Sequence, residues 1–157
     1  MNIEARHWLA KPLSLFMALV LASWPLPVGL GLLRPDWVFL VVLFWVLRVD
    51  SMSLGLVWVI GVFVDVQMGT VLGMHALAMS VVSWLGQQIE SRLRGMSPWQ
   101  TAVIVGFFDT LYRLVNWLVM HAFQTNIYDL NYFWPVLTTM LVWPILLTVM
   151  RLEGVRI

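Results

Sequence analysis

The chain has 157 residues, of which 61% are hydrophobic and 11% charged, with a formal net charge of +1 and a mean hydropathy of +0.88. A water-soluble fold of one-domain length cannot hide that much apolar surface, so a bilayer is the expected solvent. No basic field exists for nucleic acid, and the absence of cysteine removes disulfides, thiolate nucleophiles and Cys-based metal sites.

Crossing roughly 30 Å of hydrocarbon at about 1.5 Å per residue takes about 20 apolar residues. The first apolar run, 13–33, follows a basic stretch as a signal peptide would. No small-x-small cleavage site follows it and another apolar run does, so it reads as a retained first helix. Further runs lie at 37–48, 52–66, 70–87, 99–123 and 132–150. The second and third are short and need their polar flanks, Arg34 to Asp36 and Arg48 to Ser53, together with a tilted helix or a thinned bilayer. The expectation is one all-α, polytopic membrane domain over residues 1–157 with six transmembrane helices; a re-entrant piece between 37 and 66 would lower the count to four or five. Prolines 25, 27, 135 and 144 predict kinks in the first and last spans.

Charge placement sets the orientation. With six spans and both termini cytoplasmic, the internal segments hold Arg6, Lys11, Arg48, Arg92, Arg94, Arg151 and Arg156, and the external loops hold Arg34. That asymmetry is the positive-inside pattern. Trp24, Trp37, Trp84, Trp99, Tyr132 and Trp134 mark span ends at headgroup depth. The longest hydrophilic loop, 87–98, is too short for a catalytic domain, so the chemistry lies within the helices or in contacts with other proteins.

Four features rise above the apolar background. In residues 61–84, Asp65 closes the third span, Gly69 and Gly73 are four apart, and Gly73, Ala76, Ser80 and Ser83 recur at helical spacing. Such a row admits a partner's transmembrane helix or serves packing among the chain's own helices. In the fifth span Asp109 and Arg113 share a helix face, with Asn116 a turn further on. Buried charges in lipid must pair, and this stripe reads either as a register-fixing ion pair or as a site for a polar partner, an ion or a lipid headgroup. The segment Arg34-Pro35-Asp36-Trp37 combines a helix-starting proline, an interfacial tryptophan and an arginine able to reach external phosphates. The fourth feature is the aspartate pair itself. Two facing aspartates would resemble an intramembrane aspartyl peptidase, but Asp65 sits near a span end and Asp109 near mid-helix, without a Gly-Asp motif. His7, His75 and His121 lack metal-ligand spacing, and no serine sits in a nucleophile elbow, so neither an enzyme, a metal nor a cofactor is expected.

Residues 34–85 resemble the bacterial rod shape-determining MreD family. The family pattern, Arg-Pro-x-Trp and then Gly-x-x-x-Asp-x-x-x-Gly-x-x-x-Gly with a following Ala-Leu, falls on Arg34, Pro35, Trp37, Gly61, Asp65, Gly69, Gly73, Ala76 and Leu77. Trp143-Pro144 near the end also fits. Two positions depart from it: members often carry arginine where His75 stands, and Arg113 lies outside the pattern. The resemblance implies a non-enzymatic adaptor in the bacterial inner membrane, needed for rod shape and lateral peptidoglycan synthesis. Its implied partner is MreC, and through it MreB, a RodA-type glycosyltransferase and a class B penicillin-binding protein. It also implies a fold similar to the substrate-binding subunits of energy-coupling factor transporters, hence an alternative role as a small-molecule or lipid-binding membrane subunit. The residues proposed for partner or ligand binding are Arg34, Trp37, Asp65, Gly69, Gly73, His75, Ala76, Ser80, Asp109 and Arg113.

Overall fold

From Val38 to Leu47 every side chain of one short helix is buried. A helix that is apolar all round has no solvent face and belongs at the centre of a bundle, and that is where this one sits. The computed structural model describes residues 3–23, 34–48, 52–93, 95–123 and 130–152. Among them are six α-helices and one short 3₁₀ turn, Leu130–Phe133, and no strand. The helices are α1 (Ile3–Ser23), α2 (Trp37–Arg48), α3 (Leu54–Met68), α4 (Met74–Leu93), α5 (Pro98–Phe123) and α6 (Pro135–Leu152).

The central helix, α2, is packed on by α1, α4 and α6. Its Phe39 stacks on Tyr112 of α5 at 4.5 Å, and Phe44 meets Trp143 of α6 at 6.5 Å. Neighbours in sequence are neighbours in space: α3 lies on α4, α4 on α5 and α5 on α6. Two of these crossings depend on a missing side chain. A Cβ at Gly61 would sit 2.3 Å from Ala76 Cα, and one at Gly106 would sit 2.5 Å from Met140 Cγ. Close backbone approach of this kind maximises van der Waals contact between helices.

Local chemistry sets the helix ends. The Asp36 carbonyl accepts from Leu40 N at 2.9 Å and begins α2. Ser53 caps α3, whose last turn closes on Gly69 at φ 64. Ser97 and Gln100 form a capping box at the start of α5, with Ser97 N donating to Gln100 Oε1 at 3.0 Å and Pro98 in the first helical position. Pro135 likewise opens α6 rather than kinking it, while Pro144 lies inside that helix.

The helices do not coincide with the apolar runs throughout. Residues 70–73 are spent in a turn, so α4 starts at Met74 and extends to Leu93. The helix α1 starts at Ile3, well before the run at 13; Trp24, Pro25 and Pro27, together with Arg94 and Arg156, lie outside the described residues. Two segments, Pro98–Ala122 and Asn131–Met150, are long and apolar enough to cross a membrane, and α1, α2 and α3 contribute shorter apolar stretches. The outer surface carries exposed Phe16, Phe63, Phe107, Leu141 and Ile145, an apolar coat of the kind that lipid tails cover.

Polar contacts sort the helix ends into two groups. At one end Lys11 lies over the Trp45 ring at 5.3 Å, and Gln87 Nε2 donates to Met52 O at 2.8 Å. At the other, Arg34 donates to the carbonyls of Leu21 and Ala22, and Gln67 to Ser23. The charged groups singled out in the sequence converge on this second end.

Candidate functional site: a polar cleft at one end of the bundle

The cleft begins with a fully buried carboxylate. Asp65, in the last turn of α3, turns toward the N-terminus of α4 and accepts from Gly73 N and His75 N, both at 2.9 Å, and from Thr70 Oγ1 at 3.0 Å. His75 Nδ1 lies 2.7 Å from the same carboxylate. The first amides of a helix lack partners within it and carry the positive end of its dipole, so an acceptor from the preceding helix is the natural cap. The chain can fold back this tightly because Gly69 and Gly73 take left-handed conformations, φ 64 and 95. The two glycines are therefore turn residues, with open space around each absent Cβ, and the row of small side chains on α4 starts at Ala76.

A second polar group comes from α5. Asp109 and Arg113 are both buried and form an ion pair one helical turn apart, Arg113 Nε lying 3.2 Å from Asp109 Oδ1. The Arg113 guanidinium also donates to Tyr132 O at 3.2 Å and lies 5.3 Å over the Tyr132 ring. This holds the 3₁₀ turn against α5. Behind the pair, Tyr112, Asn116 and Thr139 are buried, with Thr139 reaching the Asp109 carboxyl and Asn116 the Tyr112 hydroxyl.

Between the two groups opens a cleft of about 270 Å³, lined by Arg34, Asp36, Trp37, His75, Arg113 and Tyr132 among others. It gathers Arg34 and Trp37, His75, and Arg113 from three separate parts of the sequence, with Asp65 and Asp109 directly behind as the partners of His75 and Arg113. The two aspartates do not face each other across a shared proton; each has its own basic partner. Ala76 is packed against Gly61 within the α3–α4 hairpin, and Ser80 is half-buried with its hydroxyl turned inward, both away from the cleft lining.

Several residues of the site did not stand out in the sequence. Thr70 and Asp36 belong to turns whose geometry only the fold reveals. Tyr112 was within reach, since 109, 112, 113 and 116 repeat at helical spacing and it extends the stripe of Asp109, Arg113 and Asn116 already read on that face. His75 departs from the usual arginine of the resembled family, yet occupies the position of a basic partner to Asp65.

A family model described as rod shape-determining protein MreD matches residues 4–152. The chain is 33% identical to the rod shape-determining protein MreD of Haemophilus influenzae over 141 residues, covering 88% of this chain and 87% of that protein. No solved structure matches it. The family is one of membrane-associated proteins that determine rod shape and is not known as an enzyme family. With a match that runs from the first helix to the last and takes in the whole cleft, the chain belongs to the rod shape-determining protein MreD family.

Proposed function

We propose that the chain is a non-enzymatic adaptor of the elongation machinery, crossing the inner membrane six times with both termini in the cytoplasm and binding MreC. The observation that carries this reading is its membership of a shape-determining family over nearly its whole length. Through MreC the chain connects indirectly to MreB, a RodA-type glycosyltransferase and a class B penicillin-binding protein, and so to lateral peptidoglycan synthesis. The end of the bundle bearing Lys11 faces the cytoplasm and the cleft faces outward, in keeping with the positive-inside rule.

On α4 the exposed Leu77, Val81 and Trp84 form the apolar face offered to a partner helix. Tagged wild-type protein should copurify MreC from detergent extracts, and the double variant Leu77→Ala/Trp84→Ala should lose most of it while still inserting. Full recovery of MreC by that variant would remove this face from the account, and no recovery by the wild type would remove the adaptor.

A second reading, a lipid- or small-molecule-binding subunit with a fold similar to the energy-coupling factor substrate-binding subunits, is favoured by one observation, the charged cleft. Extraction of a stoichiometric small molecule from protein free of MreC would support it.

A further inference from the structure

The charged cleft does not end in a closed wall. Its Trp37 also lines an apolar groove of about 440 Å³ that runs down the outside of the bundle between α1 and α6, floored by Val41 of α2. Leu13, Met17 and Leu21 form one bank of the groove, with Val142, Ile145 and Val149 forming the other. A polar chamber at one end of the bundle thus continues into a lateral apolar channel, the outline of an amphiphile standing parallel to the helices.

The charges in the chamber define the headgroup. Among the described residues, Arg34 donates to the main-chain carbonyls of Leu21 and Ala22, which leave the guanidinium its full positive charge. Asp36, two residues on, supplies a carboxylate to the same cleft, and no ion pair joins the two among the described residues. Deeper in, the charge of Arg113 is matched by Asp109 and that of His75 by Asp65. Among the described residues the unmatched groups are therefore one cation and one anion, beside the rings of Trp37 and Tyr132. Guanidinium is the preferred protein partner of a phosphate, and an ammonium is held by a carboxylate and by aromatic faces.

We propose that the cleft and groove together bind one phospholipid with a zwitterionic headgroup, its phosphate on Arg34, its ammonium at Asp36 and the aromatic rings, and an acyl chain in the α1–α6 groove. This deepens the second reading by naming the ligand, and it stands equally beside the adaptor role. A bound lipid would also fill the groove between α1 and α6.

The test is native mass spectrometry of the delipidated full chain titrated with phosphatidylethanolamine, phosphatidylglycerol or diacylglycerol, with helix content followed by circular dichroism. The wild type should retain one phosphatidylethanolamine, about tenfold more tightly than either other lipid, as expected for one charge-assisted contact. Arg34→Gln should reduce phosphatidylethanolamine to the level of diacylglycerol, and Asp36→Asn should raise phosphatidylglycerol to match it. Ile145→Trp, at a position 62% exposed on the groove bank, should weaken all three and leaves the helices intact even if Arg34→Gln does not fold. Equal binding of the three lipids by the wild type, or unchanged binding by the charge variants, would overturn the proposal. Soluble phosphoethanolamine competing as well as the lipid would reassign the cleft to a free headgroup. MreC is measured in the same preparations: its loss with lipid retained counts against the adaptor alone, and loss of lipid with MreC retained against this site alone.

Discussion

Asp65 shows how a single buried carboxylate can organise one end of a membrane protein. It caps α4 from α3, pairs with His75 and fixes a turn made possible by two left-handed glycines. Removing it leaves two helix-end amides without an acceptor and a buried imidazole without its partner. Asp65→Ala should therefore lower stability in detergent by roughly 3–5 kcal/mol, the cost of breaking a buried pair from one side. Gly73→Ala should cost about 1–2 kcal/mol through left-handed strain alone. Both are measured by chemical unfolding in micelles, and an Asp65→Ala protein as stable as the wild type would show that the carboxylate does not hold the hairpin. The sequence revealed Asp65, Gly69 and Gly73 as a group but not their division of labour. Their four-residue spacing is shared by a helix-packing row and by a helix end followed by a turn, and φ values alone separate the two.

At the scale of elements, the crossings depend on where a side chain is absent. Gly61 has Ala76 backbone against it, whereas Gly55, one and a half turns earlier on the same helix, faces open space. Gly61→Ala should push α3 from α4 and destabilise by about 1–3 kcal/mol. Gly55→Ala should be neutral or stabilise by up to about 1 kcal/mol through helix propensity. Thermal aggregation in detergent distinguishes them, and equal effects would contradict the observed α3–α4 contact. The ion pair on α5 makes a parallel case. Asp109→Asn and Arg113→Gln should each be strongly destabilising, and the double variant should cost at least about 1 kcal/mol less than their sum in a double-mutant cycle. Strict additivity would mean that the two groups do not interact. This pair was legible because charges in an apolar run have few ways to be satisfied. Its neighbours Thr139 and Tyr132 were not, because α6 reaches Asp109 and the 3₁₀ turn reaches Arg113 only through the folded chain.

At the scale of the whole molecule, helix content followed from hydropathy, but the role of α2 did not. A 12-residue apolar run reads as a deficient span; in the fold it is the hub around which longer helices stand, which explains why all its faces are apolar. Nor could the sequence reveal that the Arg34–Trp37 segment, His75 and Arg113 line one cleft, since the three lie far apart along the chain. The functional account rests on that cleft opening outward, opposite the end marked by Lys11 and the α4–α5 turn. Because the chain contains no cysteine, each introduced thiol is unique, and two exposed positions report on the two ends: Ser97 in the α4–α5 turn and Asn131 beside the cleft. Labelling Ser97→Cys and Asn131→Cys in intact spheroplasts with a membrane-impermeant maleimide is the most direct test. The account predicts that Asn131→Cys reacts at once and Ser97→Cys only after permeabilisation; the reverse order, or reaction of both from one side, would contradict it.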